Sequence, residues 1–158
     1  MKKGITGVLS AVAGGVAGGL AVSARSSKEI KKWCGLAGKH LEMVKLYDQW
    51  FATKQEGKSV ADYLKGEGIK TAAIYGMSFM GQRLYEELKD SGIEIRYGID
   101  KNQDKICADI DIVTPEDDLE EVDVIIVTAF CFFDEIEDFL MGKTDSRILS
   151  LEDLIYML

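Results

Sequence analysis

Apolar and polar positions along the second half of the chain switch between two rhythms. Thr71-Ala72-Ala73-Ile74-Tyr75 is a short, largely apolar run of the kind buried on both faces of a parallel sheet, and it stops at Gly76. From Phe79 to Leu88 the period is helical, with Met80, Leu84 and Leu88 on one side and Gln82, Arg83, Glu86 and Glu87 on the other. Alternation returns through Ile93, Ile95, Tyr97 and Ile99 and ends at Asp100, which predicts a second strand. Ile110 to Val113 reads as a short strand, Asp123 to Thr128 as a fully apolar central one, and Arg147 to Leu149 as an edge. Helices are expected around Glu135 to Leu140 and from Leu151 to Leu158. Strands interleaved with helices predict an α/β fold, a small Rossmann-like parallel sheet flanked by helices over residues 70–158.

Residues 27–69 predict a helical connector. Ser26 or Ser27 can cap an amphipathic helix that carries Ile30, Trp33, Cys34, Ala37, Leu41, Val44, Tyr47 and Phe51 at spacings of mostly three and four. Lys31, Lys32, Lys39, Glu42, Lys45 and Gln49 form the other face, which also suits an anionic lipid surface. Gln55-Glu56-Gly57-Lys58-Ser59 ends like a phosphate-binding P-loop. The required earlier glycine is Ala52, however, and no strand precedes it, so Gly57 is expected to stop one helix and Ser59 to cap a short one through Val60, Tyr63 and Leu64. Gly66 and Gly68 should end that helix.

Before the connector, Gly4 to Val22 is uncharged for 19 residues, long enough to span a bilayer as a helix. Six of these residues are Gly and four are Ala, which weakens insertion relative to a Leu-rich span. Gly7, Ala11, Gly15 and Gly19 recur every four residues, the small-residue face by which membrane helices associate. A self-associating membrane segment over residues 1–26, giving a homo-oligomer, is the expectation. The same residues also fit a secretory signal that ends at Val22-Ser23-Ala24, or an N-terminus without stable helix. Arg25, Lys28, Lys31 and Lys32 outnumber Lys2 and Lys3, which places the C-terminal domain in the cytoplasm if the segment spans; signal cleavage would make the protein secreted.

Charge divides the chain in the same way. Residues 1–70 carry 12 Lys or Arg against 6 Asp or Glu, and residues 71–158 carry 7 against 21, so an acidic α/β domain (net −14) follows a basic N-terminal part (net +6). Such a domain repels a phosphate backbone, and nucleic acid is not expected as a partner. Cys34, Cys107 and Cys131 lack metal or disulfide spacing and read as reduced, mostly buried thiols. With His40 the one histidine, no metal is expected. The acidic runs Glu116-Asp117-Asp118, Glu120-Glu121, Asp134-Glu135 and Glu137-Asp138 lack calcium-loop spacing and are expected on solvated helix faces. Tyr85 and Lys89 share the spacing of a short-chain dehydrogenase pair but sit in the first helix, where that chemistry does not occur. No catalytic residue is assigned.

Candidate chemistry concentrates at Gly76-Met77-Ser78-Phe79-Met80-Gly81. Strand, glycine turn, helix, second strand and acidic residue follow in the order of a dinucleotide fingerprint, with Asp100 placed to accept from ribose hydroxyls. Backbone amides at the helix start would face an anionic phosphate; Gly76 supplies the turn and Gly81 the close approach of helix to strand. Ser78 stands where the middle glycine of G-x-G-x-x-G belongs. Thr128 ends the central strand on the same side and joins the candidate site.

Ile74-Tyr75-Gly76-Met77-Ser78-Phe79-Met80-Gly81 with Leu84-Tyr85-Glu86-Glu87-Leu88, then Tyr97-Gly98-Ile99-Asp100-Lys101-Asn102 and Val122 to Thr128, resembles a family of small bacterial Rossmann-like domains. These occur alone or attached to glycosyltransferases and sugar-modifying enzymes, and are similar to the N-terminal sugar-nucleotide-binding domain of PglD-type acetyltransferases. The resemblance covers residues 55–158. It implies a nucleotide or sugar-nucleotide ligand at Gly76, Gly81 and Asp100; taken with the N-terminal segment, which it leaves uncovered, the expectation is a membrane-tethered accessory role in cell-surface polysaccharide synthesis. The alternative expectation is a non-catalytic scaffold that assembles through its Gly-rich helix.

Overall fold

The computed structural model describes residues 35–158. The uncharged stretch 4–22, its repeat at Gly7, Ala11, Gly15 and Gly19, and Cys34 lie outside these residues. Among the described residues no helix is long and apolar enough to cross a membrane. The chain divides into two compact units, Met1–Val44 and Lys45–Leu158. In the first, residues 35–44 are helical and mostly exposed. The second holds the sheet and is wider than the 70–158 expected.

Helix α1 runs over residues 35–55 of the described chain. Within the second unit its buried positions are Leu46, Trp50 and Thr53, three and four apart. Leu41, Val44 and Phe51 of the expected apolar stripe are all more than half exposed. Trp50 decides which side turns inward, because its ring is buried and its indole N–H donates to Glu87 Oε2 at 2.9 Å. Glu87 itself was expected on the polar face of the next helix and is instead a clasp. It also accepts the Val60 amide at 2.7 Å and pairs with Lys54 at 2.7 Å. One nearly buried carboxylate thus holds α1, at Trp50 and Lys54, and the segment that starts at Val60.

α1 ends in a Schellman turn, in which Gly57 at φ 76° lets the Lys58 amide reach the Thr53 carbonyl at 3.1 Å. Ser59 then caps α2 (Val60–Gly66) by accepting from the Asp62 amide at 3.0 Å. Gly57-Lys58-Ser59 is therefore a helix stop followed by a helix start. α2 ends in the same way at Gly68, φ 79°, with Ile69 N–H on Leu64 O.

The sheet consists of β1 (Thr71–Tyr75), β2 (Glu94–Ile99), β3 (Ile112–Val113), β4 (Val124–Val127) and β5 (Arg147–Ser150), all parallel, in the order β3-β2-β1-β4-β5. α3 (Phe79–Leu88) joins β1 to β2, α4 (Phe133–Met141) joins β4 to β5, and α5 (Leu151–Met157) closes the chain. From β1 the order moves one way to β2, and from β4 the other way to β5. Right-handed crossovers then put α3 and α4 on opposite faces. α3 lies against the Ile74 face, and Phe133, Ile136 and Leu140 of α4 pack on the face of Tyr75, Tyr97 and Ile125.

The links on either side of β3 contain no α-helix, only a 3-10 turn at Gln103–Lys105. The acidic run from Glu116 to Glu121 is thus in a loop, a second correction. Asp117 makes the local turn by accepting from the Thr114 amide and hydroxyl at 2.7 and 2.9 Å, bonds that hold its carboxyl below the usual range. Lys143 pins the loop through the Pro115 carbonyl at 2.6 Å, Tyr97 donates its hydroxyl to Glu120 O, and Leu119 and Val122 cover the sheet where a helix was expected. Cys107 is exposed rather than buried, and neither it nor Cys131 forms a disulfide.

Candidate functional site

Register builds the site. Tyr75 pairs with Ile99 on one side and Val127 on the other, so the next residues, Gly76, Asp100 and Thr128, stand in one row at the carboxyl edge. The row is locked by main-chain bonds from Gly76 N–H to Ile99 O and from Thr128 N–H to Tyr75 O, at 2.8 and 2.9 Å. At this edge the strand order reverses, between β1 and β4, which is where open α/β sheets leave a crevice.

Gly76 has φ 91°, a conformation that favours glycine, and a Cβ there would lie 2.7 Å from Thr128 Oγ1. The Thr128 hydroxyl uses that space to donate to Gly76 O at 2.6 Å and Tyr75 O at 3.1 Å. Thr128 is buried and holds the loop; it does not line the crevice. Gly81 backs the loop from the helix side, where a Cβ would sit 2.1 Å from Gly76 O. Met77 is fully buried against Gly98, at which a Cβ would come within 2.7 Å of Met77 Cγ. Gly98 matters here for the room it leaves, a role its strand pattern did not announce. Met80 is also buried, while Phe79, 79 % exposed, points away from the loop's own interior.

Asp100 is the connecting group. Its Oδ2 accepts the Met77 amide at 2.9 Å and its Oδ1 the Asn102 amide at 2.8 Å. The carboxylate thus lies beside the start of α3, whose first turn has no acidic residue and whose leading amides lack intrahelical acceptors. Ser78 is the N-cap by position but makes no side-chain cap, which leaves its hydroxyl exposed at the mouth.

Beyond Asp100 opens a cleft of about 640 Å³, within the roughly 300–1,000 Å³ of small-molecule sites. Gly76, Ser78, Asp100, Lys101 and Asn102 form its floor and one side, and Phe132, Ile136 and Phe139 an apolar wall across from them. Pro115 and Glu116 from the loop after β3, and Glu135 from α4, complete the rim. Glu116 and Glu135 were expected on solvated helix faces. No local pattern marks them, because the fold brings them here from two separate connections. Tyr75, at the base, has its phenol pushed up by burial first, then by the negative charges of Glu116 and Asp100.

No protein-family model, curated protein or solved structure matches this chain.

Of the eight candidate residues, then, Gly76, Ser78 and Asp100 line the cleft. Met77 supplies the amide that Asp100 holds, Gly81 and Thr128 shape the loop from behind, Met80 is core and Phe79 is outside. Among the described residues no cluster of His, Cys, Asp or Glu could hold a metal ion. Lys89, of the Tyr85 and Lys89 pair, forms an ion pair with Glu86 at 2.7 Å.

Proposed function

We propose that this domain is a binding module for a nucleoside-containing small molecule, the class that includes nucleotides and sugar nucleotides. The observation that carries this reading is the cleft at the strand-order reversal, with hydrogen-bonding groups at one end and an apolar wall at the other. A flat heterocycle fits against Phe132 and Phe139, and hydroxyls fit the unused lone pair of Asp100 and the side chain of Asn102. The reading is of a binding module, an accessory, membrane-tethered part in cell-surface polysaccharide synthesis, with no catalytic role assigned to any residue of the cleft. Calorimetric titration of the full-length chain with nucleosides, nucleotides, UDP-sugars and NAD tests this. Saturable 1:1 binding of at least one is expected, and no binding of any at millimolar concentration overturns it.

A second reading is favoured by one specific observation: the loop is internally complete, with the Met77 amide on Asp100 and the Gly76 carbonyl on Thr128. On this reading the domain is a packing unit of a scaffold that assembles through residues 1–26. Replacing Gly15 and Gly19 by Leu then disperses the oligomer in native mass spectrometry, and an unchanged oligomer counts against it.

A further inference from the structure

Resting on the reading that the cleft takes a nucleoside-containing ligand, we propose that it selects the phosphate-free members of that class, with hydroxyls rather than a phosphate meeting the loop at Gly76. The reason lies in what stands beside the start of α3. A helix N-terminus attracts an anion because its leading amides are unpaired and carry partial positive charge. Here a carboxylate already stands beside that terminus: Asp100 Oδ2 accepts the Met77 amide at 2.9 Å, one residue before the N-cap Ser78. A phosphate brought to the leading amides would therefore lie next to a negative carboxylate.

The rest of the lining points the same way. Glu116 and Glu135 join Asp100 on the cleft, three carboxylates against Lys101 among the lining residues and Lys143 at its border, 5.3 Å from the centre of the Phe139 ring and 2.6 Å from the Pro115 carbonyl. The surrounding segment 71–158 carries net −14, so the field over the cleft adds to the local repulsion rather than offsetting it. At the cleft base the Tyr75 phenol is pushed up by burial first and then by the charges of Glu116 and Asp100. Hydroxyl groups face no such opposition. A carboxylate has about four lone-pair sites; the Met77 and Asn102 main-chain amides and, at 3.5 Å, the Asn102 side chain use three of them, which leaves an acceptor for a sugar hydroxyl. Ser78, Asn102 and the Asp100 carboxylate together offer donors and acceptors in the pattern that a sugar ring requires.

Matched pairs decide the matter. The full-length chain is titrated by calorimetry with adenosine, guanosine, cytidine and uridine, and with the 5′-diphosphate of each, at 50 mM and 300 mM salt. The expected result is one or more nucleosides bound at least ten-fold more tightly than their own diphosphates, with the gap narrowing at high salt because screening weakens the repulsion. Asp100→Asn keeps an acceptor for Met77 while removing the charge, and should bring the diphosphate to within a few-fold of its nucleoside. Circular dichroism confirms that the variant is folded, and Glu116→Gln with Glu135→Gln gives an independent route to the same shift without touching the loop. A diphosphate that binds as tightly as its nucleoside, or more so, overturns this inference and leaves the nucleoside-class reading standing. If neither member of any pair binds, and UDP-sugars and NAD fail as well, both fall.

Discussion

At the amino edge of the sheet, Asp123 accepts the amides of Lys70 and Thr71, each at 2.8 Å. At the carboxyl edge, Asp100 accepts those of Met77 and Asn102 at 2.9 and 2.8 Å. Asp123 thus ties a strand end to its neighbour with two main-chain bonds, and Asp100 with one, its second closing a local turn at Asn102. What differs is the space beyond them. Past Asp123 there is solvent, and Thr71 returns a hydroxyl to the Asp123 amide at 2.9 Å, so that edge is self-contained. Past Asp100 lies a cleft floored by the Gly76 loop and walled by Phe132 and Phe139. A buttoned-down aspartate is therefore no marker of a site; the strand-order reversal and the loops that leave it make one.

The largest effect should come from closing the room the carboxyl edge depends on. Gly81→Ala forces a Cβ to 2.1 Å from Gly76 O, and main chain on both sides must shift; a loss of about 3–4 kcal/mol in urea unfolding is expected, together with ligand binding. Glu87→Ala removes the clasp shared by Trp50, Lys54 and Val60 and should cost about 2–3 kcal/mol by leaving buried donors unpaired. Because Glu87 is remote from the cleft, ligand affinity of the folded fraction should stay unchanged, and a parallel fall in affinity would blur the distinction between the two regions.

Tyr97 comes next. Burial, and then Glu120, push its phenol up to about 12 from an ordinary 10.0. A folded value raised above the unfolded one gives stability that is present below pH 10 and lost as pH climbs toward 12. Tyr97→Phe should cost about 1 kcal/mol at neutral pH and flatten that alkaline loss, as thermal melts across pH 9–12 would record. The smallest effect belongs to Asp123, whose carboxyl is held below the usual range by the amides of Lys70 and Thr71. Its folded value being depressed, the contribution is present above about pH 4 and lost as pH falls through the folded value. Asp123→Asn should lower the acid sensitivity of melting slightly and leave binding untouched, whereas Asp100→Asn should change binding. Equal effects of the two on binding would erase the contrast between the edges.

Much of the fold was legible because its signals are local. β1, α3 and the short α2 follow from apolar runs, from helical period and from glycine and serine stops at Gly57, Ser59 and Gly68. The acidic loop after β3 escaped because tertiary bonds from Lys143 and Tyr97, not any local pattern, hold it in place of a helix. The buried side of α1, at Leu46, Trp50 and Thr53, escaped for a related reason: the long-range bond from Trp50 to Glu87 has no local signature. At the site, Gly76 and Asp100 were readable from their order after β1 and β2. Thr128 was found but its hydroxyl goes to Gly76 and Tyr75 carbonyls, a choice set by the 2.6 Å approach that only glycine permits. Glu116, Glu135 and the aromatic wall come from distant connections, and their convergence is visible only in three dimensions.

The central claim is that ligand binds at the carboxyl edge, over Asp100, and nowhere near its counterpart. Proton–nitrogen correlation spectra of the full-length chain, titrated with the tightest nucleoside, test it most directly. The amides of Ser78, Lys101 and Asn102 should shift in step with occupancy while those of Lys70 and Thr71 stay fixed. Shifts at Lys70 and Thr71 with the Gly76 loop silent would contradict it.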